Sequence, residues 1–475
     1  MRFGRWIAVL LLCSCGAPLS SGRDDAGPAD AGMTGDAGLP DAGLPDAGEG
    51  DAGENDAGEN DAGEDDAGAG DAGPQDAGSA TDGGAQDAGA PPGDPCAQAV
   101  AACPGLPANL TEGGGLRAID RCAFPLSPAA GFGGNAALLT ALAQRTTPAS
   151  VSQVVADANR IATPTTTVPG SPPGLAWAFA WNAEDQASTS WIPQGITGSA
   201  DADPTGLVGG RRILLVSFYE DAGLAKGVRI AFVDVTDPTA PRYRFALLVE
   251  PSGTAAAPSF TQVDAHAGGI VWIGSRLYVA QTGTGFRVFD LGRIMQVATD
   301  VDTVGCTATT CRAGLYKYVI PQIGAYVDRS SCGPVFSWVS LDRGSTPPAL
   351  VSGEYCSTTA CAGPLAGRLF RWPLDPATGL LRGATTWPLA AFVMGQRQVQ
   401  GGAMRGGTTY LSSSAPAGGG GALYCLNPTR SLTAGFSDSP EDLMVDEKNA
   451  ELWSLSEAAG SRAVFSVRFA SYPLP

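Results

Sequence analysis

The chain has 475 residues, a formal net charge of −18 and a mean hydropathy of +0.03. The charge is unevenly placed: nineteen of the 47 acidic residues fall between positions 24 and 90, a stretch without Lys or Arg. The rest is close to neutral and carries no basic stripe, which excludes nucleic-acid binding through the usual electrostatic footprint.

The first residues read MRFGRWIAVLLLCSCG, with Arg2 and Arg5 ahead of a short apolar run. That run is too short to span a bilayer and reads as an export signal. Leu12-Cys13-Ser14-Cys15 resembles a bacterial lipobox, with an aliphatic residue three before Cys15 and a small one directly before it. The resemblance implies diacylglyceryl attachment to Cys15, removal of residues 1–14 and a place in the cell envelope, at the outer membrane or cell surface. The alternative is an ordinary secretory signal with two incidental cysteines; both readings export the chain. No later apolar run reaches the roughly 18–20 residues of a membrane span, so the lipid is the one membrane contact expected.

Residues 15–90 follow as a tether. The triplet Asp-Ala-Gly recurs every five residues from Asp36 to Asp76. These units have no apolar face, and such composition cannot offset chain entropy, so a disordered spacer is expected. One Asp per five residues does not reproduce a Ca²⁺ loop either.

Residues 91–175 read as a small, cysteine-containing helical lead-in. Helices are expected at 136–145 and 148–160, the second capped by Thr147, with Pro148 in its first turn and a stripe of Val151, Val154, Val155 and Ala158.

From residue 176 to 475 strands dominate and an internal repeat appears. The segments ILLVSFY (213–219), RLYVAQT (276–282), ALVSGEY (349–355), TYLSSSA (409–415) and ELWSLSE (451–457) align. Each is followed by a second strand: GVRIAFVDV (227–235), GFRVFDL (285–291), GRLFRWPLD (367–375), GALYCLNP (421–428) and RAVFSVRF (462–469). Each is preceded by an inner segment: PQGI (193–196), HAGGI (266–270), FSWVSLD (336–342), VQGGA (399–403) and PEDL (440–443). Such copies with variable loops predict an all-β chain, a β-propeller with five blades, or six if 175–181 contributes its own. VRIAFVDVTDPTAPRYRFALLVE (228–250) resembles the LVIVD-type repeat of bacterial surface propellers, in which VDVTDPTAP turns from the third strand to the outer one. The resemblance supports the fold and supplies no catalytic residues.

Cysteines are read by compartment. Cys306–Cys311 and Cys356–Cys361 share a C-x4-C spacing, and export favours disulfides within each pair. Zinc is the rival, but the chain has a single His and lacks C-x2-C pairs. Cys96, Cys103, Cys122, Cys332 and Cys425 stay unassigned, and the odd count leaves at least one thiol unpaired within the chain.

In a propeller the inner segments line a channel. Their alignment puts Gln194, His266, Ser337, Gln400 and Glu441 at equivalent positions, with Asp442 beside the last. This ring is either a ligand pocket or a structural network around trapped water. The adjoining Gly195, Gly268, Gly269, Gly401 and Gly402 either admit a ligand to the backbone or relieve crowding at the axis. His266 is the only histidine, with Asp264 or Glu441 as candidate partners; a catalytic site would use His266 and Glu441. No G-x-S-x-G elbow occurs. Asp201-Ala-Asp203-Pro-Thr205-Gly206 begins like a Ca²⁺ loop but has Arg212 where the closing Glu belongs. The expectation is a monomeric binding module without cofactor or metal, recognising an extracellular or envelope ligand such as a glycan or protein. The alternative is a hydrolase or lyase in the channel mouth.

Overall fold

The computed structural model describes residues 94–98, 101–129, 132–223, 226–357, 361–414, 420–472 and 474–475. The signal segment, Cys15 and the Asp-Ala-Gly repeat lie outside them.

The chain folds as a β-propeller. Among the described residues, strand pairing forms five antiparallel four-stranded meanders. The first runs through Trp191–Gly198, Ile213–Glu220, Val228–Asp234 and Arg242–Gly253. The second uses Ile270–Ile273, Arg276–Gln281, Gly285–Asp290 and Tyr318–Asp328. The third uses Phe336–Asp342, Ala349–Glu354, Arg368–Pro373 and Ala390–Val393. The fourth uses Val399–Arg405, Thr408–Ser413, Ala422–Leu426 and Ser431–Gly435. The fifth takes Met444–Asp446, Glu451–Leu455 and Val464–Arg468 from the C-terminus and Leu175–Ala180 from far upstream as its outer strand. Leu175–Ala180 thus pairs with Val464–Arg468, joining the two ends of the strand-rich region.

The continuous apolar runs have a simple cause. Successive strand residues face opposite ways, and each meander is buried on both faces. Within Ile213–Glu220, Ile213 and Leu215 pack into a core shared with the second meander. Leu214, Val216 and Phe218 pack into the core shared with the fifth. The remaining neighbours share cores in the same way, second with third, third with fourth and fourth with fifth. Apolar burial thus runs unbroken around the ring.

The lead-in departs from the helical expectation. Its helices are shorter, Ala136–Ala143 and Val151–Ala156. Thr147 does not cap the second: Thr147–Ala149 is a strand paired with Ile294–Gln296, and Ser150 caps instead, in a reciprocal capping box with Gln153. Between and around the helices the lead-in adds strands to the ring's rim. Leu116 bonds Asn427 of the fourth meander, Arg117–Ile119 pairs with the third, Leu126–Pro128 with the second, Arg160–Ile161 with the first and Thr163–Pro164 with the fifth. The segment is a girdle that visits the meanders in reverse order and covers outer edges that would otherwise expose unpaired backbone.

Four cysteine pairs lie within disulfide distance: Cys96–Cys122, Cys103–Cys332, Cys306–Cys311 and Cys356–Cys361. The two C-x4-C pairs are thus local clips, and Cys103–Cys332 fastens the girdle to the connection between the second and third meanders. Cys425 is the free thiol among the described residues. Burial pushes its pKa up to about 12, which keeps it protonated and inert.

Candidate functional site

The inner strands do not pair smoothly with their neighbours. Register shifts fall between Pro193 and Ile196, between Phe336 and Trp338, and between Val399 and Gly401. Gln194, Ser337 and Gln400 occupy those bulges, so three predicted ring positions are the residues that the ladder leaves out. Bulges re-aim side chains and recur beside functional sites. Segments leading into three of the inner strands are strained too. Ala267 has φ +55°, Gln398 +43° and Ser439 +47°, a left-handed region costly for residues with a Cβ.

Around this mouth the ring residues pair locally. Gln194, 2 % exposed, donates through Nε2 to Glu457 Oε2 at 2.8 Å. Gln400 Nε2 donates to Glu441 Oε1 at 3.3 Å. Ser337 stays within its own meander: its hydroxyl donates to Val335 O and accepts from Tyr355 N. The His266 ring lies tilted against that of Tyr219, with ring centroids 4.4 Å apart. It is exposed by surface, yet protein surrounds it closely enough that burial lowers its pKa, while the charge of Asp221 pulls it up. Asp221 is a carboxylate whose charge acts on it. An exposed ring in dense surroundings is what a concave mouth produces.

Asp442 lies at the centre of the ring. Its Oδ2 accepts from Ile196 N and Ile270 N, both at 3.2 Å. Ile196 belongs to the adjacent first meander but Ile270 to the second, so the carboxylate reaches across the channel. It is fully buried, and burial drives its pKa well above the usual range despite those two donors. The Leu443 backbone N–H also acts on this carboxyl, and its buried Oδ1 has no well-aligned donor of its own.

Tyr219, Asp221, Glu457 and Tyr355 were missed by the sequence alignment of inner segments. Tyr219, Tyr355 and Glu457 occupy the last position of the aligned segments ILLVSFY, ALVSGEY and ELWSLSE, which follow the inner segments. That column was on view and is where the second strands reach the mouth. Burial and the charges of Asp221, Glu457 and Glu441 together raise the Tyr219 phenol, which puts all three carboxylates in one field. Glu457 is itself raised by burial, against the Gln194 hydrogen bond and the charge of Arg462.

The glycine alternatives resolve towards crowding. A Cβ on Gly195 would meet Ile270 N at 2.8 Å, and one on Gly401 would meet Asp442 Cα at 2.5 Å. Gly268 and Gly269 lie against the backbone of Ser337 and Trp338, and Gly402 against the Trp338 ring. These glycines let neighbouring inner strands approach one another.

Other candidate ligands are occupied. Among the described residues, Glu354, Cys356 and Cys361 form the one metal-compatible group. Its cysteines are paired with each other, and Glu354 receives Arg368 Nε at 2.7 Å and Nη2 at 2.6 Å. In the Ca²⁺-loop-like stretch, Asp203 Oδ1 accepts from Thr205 N and Oγ1, and Asp201 Oδ2 accepts from Thr197 Oγ1 at 2.8 Å.

Asp201 yields a pH prediction. Burial raises its pKa to about 7, against the Thr197 hydrogen bond and the Arg343 charge, with Asp446 adding to the rise. The folded state therefore binds this proton more tightly than the unfolded state. The resulting stability is complete below the unfolded value of 3.8 and is lost as pH rises towards 7, at about 1.4 kcal/mol per unit. Asp201→Asn should flatten that decline and melt higher than wild type at pH 8. Parallel melting curves from pH 4 to 8 would contradict it.

No protein-family model matches the chain, and no curated protein does. Among solved structures it is similar to a gluconolactonase from Xanthomonas campestris, at 13 % identity over 67 % of this chain and 89 % of that one, with a TM-score of 0.29. It is also similar to the Cps50 (Swd1) beta-propeller domain from Myceliophteria thermophila, at 9 % identity over 62 % and 99 %, TM-score 0.30. A third is a GH43_1 enzyme from Xanthomonas citri, at 10 % identity over 70 % and 92 %, TM-score 0.26. Likenesses this shallow carry no argument about activity.

Proposed function

We propose that this chain is an exported, lipid-anchored binding module, with the five meanders as the blades of a propeller whose channel mouth takes the ligand. One observation carries the reading. Bulges and strained residues at the starts of the inner strands gather an aromatic pair and amide–carboxylate pairs at one end of the channel. Backbone strain held at such a place has to be supported by the surrounding fold, and it concentrates at sites of recognition or catalysis.

The remaining parts fit that role. Cys15 would carry the lipid and residues 15–90 the reach. A flexible coil of roughly 66 residues, the Asp-Ala-Gly-rich part from Asp24 to Gly89, has an r.m.s. span of about 45 Å, and its acidic charge extends it further. The LVIVD-like first unit, with its Val228–Asp234 strand turning into Arg242–Gly253, accords with surface-displayed propellers.

The test is a glycan and envelope-protein array probed with the full chain. Saturable binding that Tyr219→Ala weakens at least tenfold is expected; no saturable binding to any arrayed ligand would overturn the reading. A substrate panel checks the enzymatic alternative. Turnover abolished by both His266→Ala and Glu441→Gln would replace a binding module with a hydrolase or lyase.

A further inference from the structure

The girdle and the third meander enclose a cavity of about 350 Å³. Its lining includes Cys103, Pro104, Gly105 and Leu106 of the girdle and the Glu354–Arg368 ion pair of the meander. The girdle is held firmly on either side of that stretch. Upstream, Cys96 bonds Cys122, Asp94 pairs with Arg121 at 3.0 Å, and Arg121 donates to Pro388 O at 2.9 Å. Downstream, Gly114 N donates to Thr111 O and Leu116 N to Asn427 O, both at 3.0 Å. In between, residues 101–110 make no hydrogen bond or ion pair among the described residues. Ala101 packs on the core between the second and third meanders, and beyond it the tie to the ring is Cys103–Cys332. That bond is also the most accessible of the four. Cys96, Cys311 and Cys356 are buried members of their pairs, whereas Cys103 is exposed and Cys332 half-buried. Exposed disulfides are the labile ones, because exchange needs access to a sulfur. Freeing a stretch without hydrogen bonds also returns chain entropy at little loss of contacts.

We propose that Cys103–Cys332 is a thiol-exchange latch, opened by a small external thiol ahead of the other three pairs, and that opening it frees the strap 101–110 from the cavity. A thiolate attacks Cys103 Sγ, forming a mixed disulfide and expelling Cys332 as a thiolate. A second thiolate attacks the reductant's sulfur in that mixed disulfide, releasing oxidised reductant and leaving Cys103 as a thiolate. The two protons lost by the reductant pass to Cys103 and Cys332, so two thiols are oxidised and one disulfide is reduced. The opening lies beside the channel mouth. Val335 and Glu354 line the cavity; Val335 O accepts from the Ser337 hydroxyl, and Tyr355 follows Glu354 in the chain. The latch does not depend on which ligand the mouth takes.

The experiment equilibrates the full chain with graded ratios of reduced to oxidised glutathione, alkylates free thiols and locates them by peptide mass spectrometry. Cys103 and Cys332 are expected to be labelled together, at a ratio about tenfold less reducing than any other pair requires. Thermolysin, which cuts before leucine, then probes the strap at Leu106 and Leu110. Cleavage there is expected to rise about tenfold once the latch is open, with the melting temperature of the ring unchanged. Cys425, the buried free thiol, reports on the ring itself and should stay unlabelled. The double variant Cys103→Ser with Cys332→Ser should be cut at the faster rate without any reductant. Should that variant fail to fold, the graded reduction of the wild-type chain still decides. Another pair reduced first, or unchanged cleavage after Cys103–Cys332 opens, would overturn the latch. So would Cys425 labelling in step with Cys103, because the ring rather than the strap would then have opened.

Discussion

Asp185→Ala is expected to lower the unfolding free energy by about 3–5 kcal/mol, the usual consequence of leaving a buried charge without its partner. Asp185 lies in the helix Ala183–Ala187, directly after the outer strand that closes the ring. It is 2 % exposed, and Oδ1 accepts from Arg229 Nη2 at 2.9 Å. Oδ2 accepts from Tyr243 OH at 2.6 Å and pairs with Arg160 Nε at 3.1 Å. Arg229 is 4 % exposed, with the Phe245 and Trp191 ring centroids 3.7 and 4.3 Å from its guanidinium. The aromatic faces favour the cation but cannot replace the carboxylate. Removing Asp185 therefore strands one charge and one phenol in the core between the fifth and first meanders. The double variant Asp185→Leu with Arg229→Met removes both charges and should recover most of the loss in urea denaturation. A single-variant loss below about 1 kcal/mol would show that the closure does not depend on this pair.

Nothing in the sequence announces that pair. Asp185 and Arg229 lie 44 residues apart, in a short polar helix and an apolar strand. A buried ion pair has no local periodicity to reveal it. The strands were legible for the opposite reason: burial on both faces imposes apolar runs that repeat in every meander, so the second and third strands align in register. The outer strands of the third and fourth meanders escaped because their burial is partial. Ser431–Gly435 alternates exposed and half-buried positions, and Ala390–Val393 is short and covered by Arg117–Ile119. The helix expected from 148 was cut to start at 151 by a strand pairing with residues nearly 150 positions downstream, a contact that capping rules cannot foresee.

The mouth shows the same division. Gln194, Gln400 and Glu441 were legible because aligning the inner segments stacks them in one column. Gln400 and Glu441 pair with each other, whereas the partner of Gln194 is Glu457, at the end of an adjacent strand in a column outside the inner segments. Asp442 sits beside Glu441 in sequence yet has a different role, because only its carboxylate crosses the channel to Ile270 N. Adjacent residues on an inner strand alternate between facing the mouth and locking the ring, and a one-column reading cannot separate the two.

That locking leads to the second large effect. Gly269→Ala is expected to cost about 3 kcal/mol or more, at the upper end for overpacking. The added Cβ would lie well inside van der Waals contact of Trp338 Cα and Val339 N. Both are backbone atoms of the next inner strand, so no flexible side chain can yield. Relief requires the second and third inner strands to part. Ile270 N would then move away from Asp442 Oδ2, exposing the ring's central carboxylate to further loss of donors. Gly435→Ala provides the control: it lies in an outer strand with nothing within 4 Å of its added Cβ and no left-handed φ, and should be nearly neutral. Chemical denaturation of the two variants measures the contrast. Equal stabilities would mean that the inner strands can spread without penalty, and the close approach at Gly269 would not be what sets the width of the channel.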